Sequence, residues 1–411
     1  MTADIVDIQG RRAMLDRPAF MGGVGGGDRV LIVVSPSGVG ALNRMDGFEA
    51  GDHAIQTIAR VLTECAPKGA AITRLAGAKF ALSAPASGPD AAMGVLGELF
   101  DDIAAKAPAV STHLGGAWAP IAIGAEAMMS AALTALDAAR GFGPQGLELT
   151  VVDPEAAADE MALAREALAA IRSDQASIAL QPVVDAERSG RVIFREALIR
   201  LKRADGEVVP AGRFMPTLAR FGAAAEVDIA VLNEALAALA RDASLRVSVN
   251  ISAAGLSRPG WRAAFIDAAE RSPDLIERLI VEVSEDAALT DIGASVELFT
   301  QIRARGGTLA LDDFGAGRTS FRHLRDFRFD MVKIDGSFIT GIDRSPDNQA
   351  LVAALVGLAR QFDMMIVAEF VETAQEARAL RRLGVDALQG FLFGRPTLVW
   401  ADGEAVDRAL A

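Results

Sequence analysis

The chain has 411 residues, 51% of them hydrophobic, and a formal net charge of −13. That length suits two domains, one of barrel size and one smaller, while the acidic balance excludes DNA or RNA as a bulk partner, because polyanion binding needs a Lys/Arg-rich surface. A single cysteine, Cys65, excludes an internal disulfide, and His53, His113 and His323 are too scattered for a His/Cys zinc site, so any metal is expected to be a hard ion held by oxygens.

At the N-terminus no charged stretch precedes a long apolar run, and no uncharged run reaches the roughly 18 residues that span a bilayer, so a cytoplasmic protein with no membrane partner is expected. MGGVGGG, residues 21–27, precedes a strand, whereas a dinucleotide loop would follow one and open a helix; residues 1–27 therefore read as a flexible segment. The strand is VLIVV, residues 30–34, and a helix from about Asp52 places Ile55, Ile58 and Leu62 on one face. ITRLAGAKFAL carries two short apolar runs flanking Ala76 to Lys79 and predicts a hairpin. A further strand is predicted at PIAIGA, residues 120–125. Residues 153–175 read as a helix with Met161, Leu163, Leu168 and Ile171 apolar, a rigid connector.

Beyond it, short runs rich in Val, Ile and Leu recur at helix-length spacing, the signature of βα units around a parallel sheet. Glu196 closes VIFRE, Asn250 closes RVSVN, Glu282 sits in RLIVEVSE, Asp312 and Asp313 end TLALDD, Lys333 lies in MVKID, Glu369 ends MIVAE and Gln389 follows VDAL. In closed (β/α) barrels such strand ends carry the chemistry. Glu282 by itself is equally compatible with a solvated strand end, and Arg200 with the surface of an edge strand. Asp312 and Asp313 are harder to place without a function, since adjacent carboxylates repel unless a cation or base lies between them. Lys333 alternates with Val332 and Ile334, so it points away from both and needs a partner that the carboxylates can supply.

The strings REALIR, VSVNIS, LIVEVSE, LDDFGAGRTSF, VKIDGSF, VAEFVET and LQGFLFGRP, in this order, resemble the EAL family of cyclic di-GMP phosphodiesterases. The resemblance implies a TIM-like (β/α)8 barrel and two divalent ions, Mg²⁺ or Mn²⁺. By the same resemblance Glu196, Asn250, Glu282 and Asp312 hold one ion, and Asp312, Asp313 and Glu369 the other. It puts Lys333 beside the scissile phosphate and attacking water, Glu372 in the same site with Glu369, Gln181, Arg200 and Gln389 on the nucleotide, and Glu285 as a brace for the DFG loop. Arg318, Thr319 and Phe370 depart from the family's usual tyrosine, serine and glycine. The short helix after that loop, with Phe321 and Leu324, is expected to face a twin barrel in a homodimer.

The first 150 residues resemble, more weakly, the GGDEF diguanylate cyclase domain, a smaller α/β domain with a mostly antiparallel sheet. AGAKF, residues 76–80, stands in place of GGDEF, supported by NRMDGFEAGD (43–52), PIAIGA and ALDAARGFG (135–143). Ser35 and Ser37 stand where that family has aspartates, and Ala78 and Lys79 replace the acidic pair. Cyclisation of GTP needs divalent metal against the triphosphates, so the cyclase activity is expected to be absent. The inhibitory RxxD site is also missing, with Pro67 and Ala70 at its positions. Asn43 and Asp52 match the guanine-holding pair, which implies a domain that binds GTP; as plain sequence, the first suits a turn and the second a helix N-cap. The expected organisation is a flexible segment (1–27), a degenerate GGDEF-like domain (28–152), a helical linker (153–175) and an EAL phosphodiesterase (176–411) that cleaves cyclic di-GMP to pGpG, with a silent cyclic di-GMP receptor as the alternative.

Overall fold

The computed structural model describes residues 14, 17–24, 28–37, 39, 42, 47–76, 78–108, 110–141, 143–173, 175–188, 190–203, 205–315, 321–399 and 405–406. The chain divides into two compact units, residues 1–163 and 164–411, the division falling within the helix Pro154–Arg172.

In the first unit β1 (Arg29–Ser37) is the centre of a five-stranded sheet with β2 (Ala71–Ala76), β3 (Lys79–Pro85), β4 (Ser111–Trp118) and β5 (Gly146–Val151), in the order β2-β3-β1-β4-β5. Every pairing is antiparallel except β4 with β5. VLIVV is uninterrupted because both faces are covered. Val30, Ile32 and Val34 meet the helices Phe48–Cys65 and Pro89–Lys106, while Leu31 and Val33 meet the helix Ala125–Arg140. The hairpin forms as predicted, with Ala76 paired to Lys79.

Three expectations for this unit are corrected. PIAIGA is not a strand: Pro120 lacks the donor a ladder needs, and the strand is the preceding STHLGGAW. Gly115 within it permits contact with the helix Ala125–Arg140, since a Cβ there would collide with the backbone of Ala132 and Leu136. The helix read from Asp52 begins at Phe48 with Gly47 as its N-cap, so Asp52 is an exposed residue inside the helix and caps nothing. Residues 17–24 are not a flexible tether, because a helix Arg17–Gly22 brings Phe20 and Val24 into the core.

The second unit is an eight-stranded closed barrel. Its staves are β6 (Ser177–Asp185), β7 (Val192–Lys202, extended by the short β8, Val208–Pro210), β9 (Val247–Ile251), β10 (Leu279–Ser284), β11 (Thr308–Phe314), β12 (Met331–Ile334), β13 (Met365–Ala368) and β14 (Ala387–Gln389). Outside the ring, β15 (Thr397–Val399) pairs with β6 and β16 (Ala405–Val406) with β15. Seven staves are parallel where they pair with one another, but β6 runs antiparallel to both neighbours, β7 and β14. The first stave therefore departs from a strict βα repeat. No described helix is long and apolar enough to cross a membrane.

Candidate active site

The barrel interior is layered by strand alternation. Val183, Phe194, Ile280, Ala310, Met331, Val367 and Ala387 form one apolar layer. Side chains two residues apart on a strand share a face. The next inward positions are therefore Glu196, Glu282, Asp312, Lys333, Glu369 and Gln389, each two residues further along its strand. On the antiparallel β6 the same step runs backwards, from Val183 to Gln181. One polar layer thus sits directly above one apolar layer, at the end of the barrel that the sequence assigned to the chemistry.

Lys333 is fully buried at the centre of this layer. Its Nζ lies 2.6 Å from Glu282 Oε2, 2.7 Å from Glu369 Oε1, 3.4 Å from Glu196 Oε2 and 3.6 Å from Asp312 Oδ1. Gln389 Nε2 donates to Glu196 Oε2 at 2.6 Å and to Gln181 Oε1 at 3.3 Å, and Asn250 Nδ2 donates to Glu196 Oε1 at 2.8 Å. Glu196 is not at a strand end, since β7 runs six residues past it to Lys202; it reaches the layer because β7 meets β9 there, Glu196 opposite Ser248.

Burial is the largest influence on the ionisation of Glu196, Glu282, Lys333 and Glu369. With repulsion from Glu196 and Asp312 it outweighs the attraction of Lys333 and pushes Glu282 up to about 8. Burial also raises Glu369 well above the usual carboxylate range, whereas on Glu196 it is outweighed by Lys333 and the donors Gln389 and Asn250, and that carboxyl stays low. Lys333 itself is raised because four carboxylates overcome its desolvation. Asp313 is raised by partial burial and by Asp312.

These donors fit a divalent cation. Asp312, Asp313 and Glu369 each present an oxygen, all within 4.8 Å of one another. Glu282 Oε1 and Asp312 Oδ1 are buried and accept no hydrogen bond, the state of an oxygen meant for a cation. One ammonium cannot balance five carboxylates, and an all-oxygen set suits a hard ion. In metal-free protein Glu282 and Glu369 bind protons more tightly folded than unfolded. Their contribution to stability is present below the ordinary carboxyl range; that of Glu282 is lost as pH rises through about 8, and that of Glu369 as pH rises through its own raised pKa. The melting temperature in EDTA should fall over that window and the slope should flatten with Mn²⁺; a flat profile in EDTA would rule this out.

A cleft of about 370 Å³ opens above the layer, lined among others by Gln181, Arg200, Asp313, Glu372 and Gln389. Arg200 is not a surface residue of an edge strand. It is buried, its Nη1 donates to Ile199 O at 2.9 Å, and burial lowers its pKa. Glu372 is exposed in the cleft; its backbone N donates to Glu376 Oε2 at 3.0 Å. Glu285 is buried and its Oε1 accepts from Gly315 N at 3.1 Å, a direct tie to the end of β11. Asp313 and Phe370, both beside metal-site candidates, have positive φ of 56° and 54°. Arg318 and Thr319 lie outside the described residues, and Leu324 is buried within its own barrel and so cannot face a twin. Phe391, which lines the cleft, was not singled out from sequence; its place two residues past Gln389 on the same rim was the available signal.

In the first unit Ser35 is buried and accepts from Arg140 Nη2 at 3.2 Å. Lys79 is half-buried, its pKa lowered by burial and then by Arg140. Asn43 lies outside the described residues, so the pair with Asp52 is not formed among those that are described.

Known proteins share this architecture. MucR of Pseudomonas aeruginosa, a bifunctional diguanylate cyclase/cyclic di-GMP phosphodiesterase, is 33% identical over 245 residues, 58% of this chain and 36% of that protein. A solved structure of the PaMucR phosphodiesterase in complex with c-di-GMP is 32% identical with a TM-score of 0.53, covering 58% of this chain and 97% of that one. A Vibrio cholerae LapD structure comprising an S helix, GGDEF and EAL, bound to c-di-GMP, covers 94% of this chain and 95% of that one with a TM-score of 0.64; at 18% identity the likeness is one of fold alone. The chain spans 36%, 45% and 31% of three curated relatives' lengths, less than half of each. The EAL domain profile matches residues 164–396, more than half of the 411, and the chain belongs to the EAL domain family.

Proposed function

We propose that the barrel hydrolyses cyclic di-GMP to linear pGpG. The observation that carries this reading is the single polar layer in which Glu196, Glu282, Asp312 and Glu369 surround Lys333 at one pole of the barrel. Divalent ions, Mg²⁺ or Mn²⁺, held by Glu196, Asn250, Glu282, Asp312, Asp313 and Glu369, would neutralise phosphodiester charge and acidify water. Water adds to phosphorus, the P–O3′ bond breaks, and a proton from water ends on the leaving O3′. Lys333 supplies fixed positive charge beside the developing anion, preorganised by burial and by its ion pairs. Arg200, Gln181 and Gln389 line the cleft with donors for phosphate and base edges, and Glu372 adds an exposed carboxylate. Glu285, bonded to Gly315, is assigned the tie between that loop and the acids.

The test is to incubate pure full-length protein with cyclic di-GMP and Mg²⁺ or Mn²⁺ and separate the nucleotides. Appearance of pGpG supports the hydrolase; binding without pGpG in either metal makes the protein a receptor.

The first unit is assigned as a GGDEF-like domain without cyclase activity, with domain limits at 28–152, 153–175 and 176–411. The mostly antiparallel sheet with a hairpin at Ala76–Lys79 supports the assignment, and serines and a lysine in place of carboxylates support the lost activity. GTP binding through Asn43 and Asp52 is the remaining role, and calorimetry with GTP at about millimolar concentration should give a saturable isotherm, abolished in D52A. Absence of heat would leave a structural domain. A homodimer through the barrel is proposed from the family resemblance, with Leu324 excluded from its interface; light scattering beside turnover checks it.

A further inference from the structure

Phe370 is 62% exposed, yet its backbone holds φ at 54°, in the left-handed region. For a bulky aromatic residue that is an outlier, kept only where the surroundings impose it. They do so here. Glu369 on one side is ion-paired to Lys333, and buried Val371 on the other donates its N–H to Gln389 O at 2.9 Å. The ring rests on Gly336, where a Cβ would collide with it. Covering a glycine would be a sufficient role for a buried ring, but most of this one remains in water. It lines the same cleft as Glu196, Asp312 and Arg200, with half-exposed Phe391, whose ring carries the Arg395 guanidinium 4.3 Å from its centroid, also on the lining.

A flat apolar face fixed at the mouth of a pocket whose floor holds carboxylates and buried cations has the chemistry of a nucleobase platform, because every base offers a π-face for stacking. We infer that Phe370 is a specificity-determining residue that stacks on a purine base of the cyclic dinucleotide and so positions the phosphodiester over the Lys333 layer. This rests on the cyclic dinucleotide reading above. The strained backbone then has a use: it aims the ring into the cleft, where a relaxed backbone would direct the side chain elsewhere.

Asparagine tolerates the left-handed region, so F370N removes the ring without adding strain and should melt no lower than wild type. Full-length wild type, F370N and F370Y are compared for cyclic di-GMP Kd by calorimetry, in EDTA and in Mg²⁺, and for KM and kcat. F370N should raise Kd and KM by about five- to fifty-fold, the range that base–aromatic stacking spans, with most of the loss in KM, and F370Y should restore both to within about threefold. F370N with wild-type Kd, or F370Y as weak as F370N, overturns the stacking role. Wild type that binds but yields no pGpG removes the hydrolase and leaves stacking to be judged by Kd alone; wild type that binds in neither buffer removes the ligand class and this inference with it.

Discussion

Lys333→Ala is expected to lower kcat for cyclic di-GMP by about three orders of magnitude, because it deletes the buried cation at the centre of the carboxylate layer, beside the proposed place of the reacting phosphate. It should also act on stability. The ammonium lies 2.6 Å from Glu282 and 2.7 Å from Glu369 in a fully buried setting, and removing one partner of a buried pair costs about 3–5 kcal/mol when the other stays charged. Here the acids have an escape, since Glu282 already holds its proton up to about 8 and without the lysine would hold it higher still. The loss of melting temperature in EDTA should therefore be small at mildly acidic pH and large at alkaline pH, and Mn²⁺ should reverse much of it. Melting curves across pH, with and without metal, check this beside turnover. A variant with wild-type melting at both pH extremes and turnover within about tenfold would remove Lys333 from the centre of the site.

Asp312→Asn should produce the opposite pairing of effects. Asp312 is the carboxylate common to both proposed ion sites, with an oxygen that accepts no hydrogen bond and with Asp313 and Glu369 within 4.8 Å. The amide keeps the volume but loses the charge, so turnover should fall by about three orders of magnitude or more. The same change relieves repulsion among carboxylates, and metal-free protein should melt at or above the wild-type temperature, a trade of stability against activity. The rise in melting temperature that Mg²⁺ or Mn²⁺ gives wild type should shrink in the variant. An undiminished metal-induced shift together with near wild-type turnover would show that Asp312 holds no ion.

Both predictions use residues legible in the sequence, and the reason is local. On a strand, facing is fixed by period two, so an acid two positions beyond an inward apolar residue must point inward whatever the neighbouring strands are. Glu282 after Ile280, Asp312 after Ala310, Lys333 after Met331 and Glu369 after Val367 could be read in that way. The family resemblance added the role of Gln181 and Arg200 as nucleotide contacts, which facing alone does not assign.

Closure decided what periodicity could not. That β6 runs antiparallel, so that Gln181 joins the layer from two residues before Val183, depends on which strands meet when the ring closes, a non-local choice. Arg200 passed from an apparent surface position to a buried one because β7 continues past Glu196 and remains paired with β6. PIAIGA failed as a strand, and GG-containing STHLGGAW succeeded, because a helix packing onto Gly115 rewards the absence of a side chain that local propensity penalises. The left-handed backbone of Phe370 was hidden for the same reason: nothing in the identity of a phenylalanine announces φ of 54°, and tertiary contacts such as the ion pair of Glu369 and the bond from Val371 to Gln389 hold it there. Sequence by itself determined which chemical groups face the barrel axis, since alternation along a strand is a local property; the tertiary structure decided their distances, burial and charge balance, since those depend on which strands close the ring beside them.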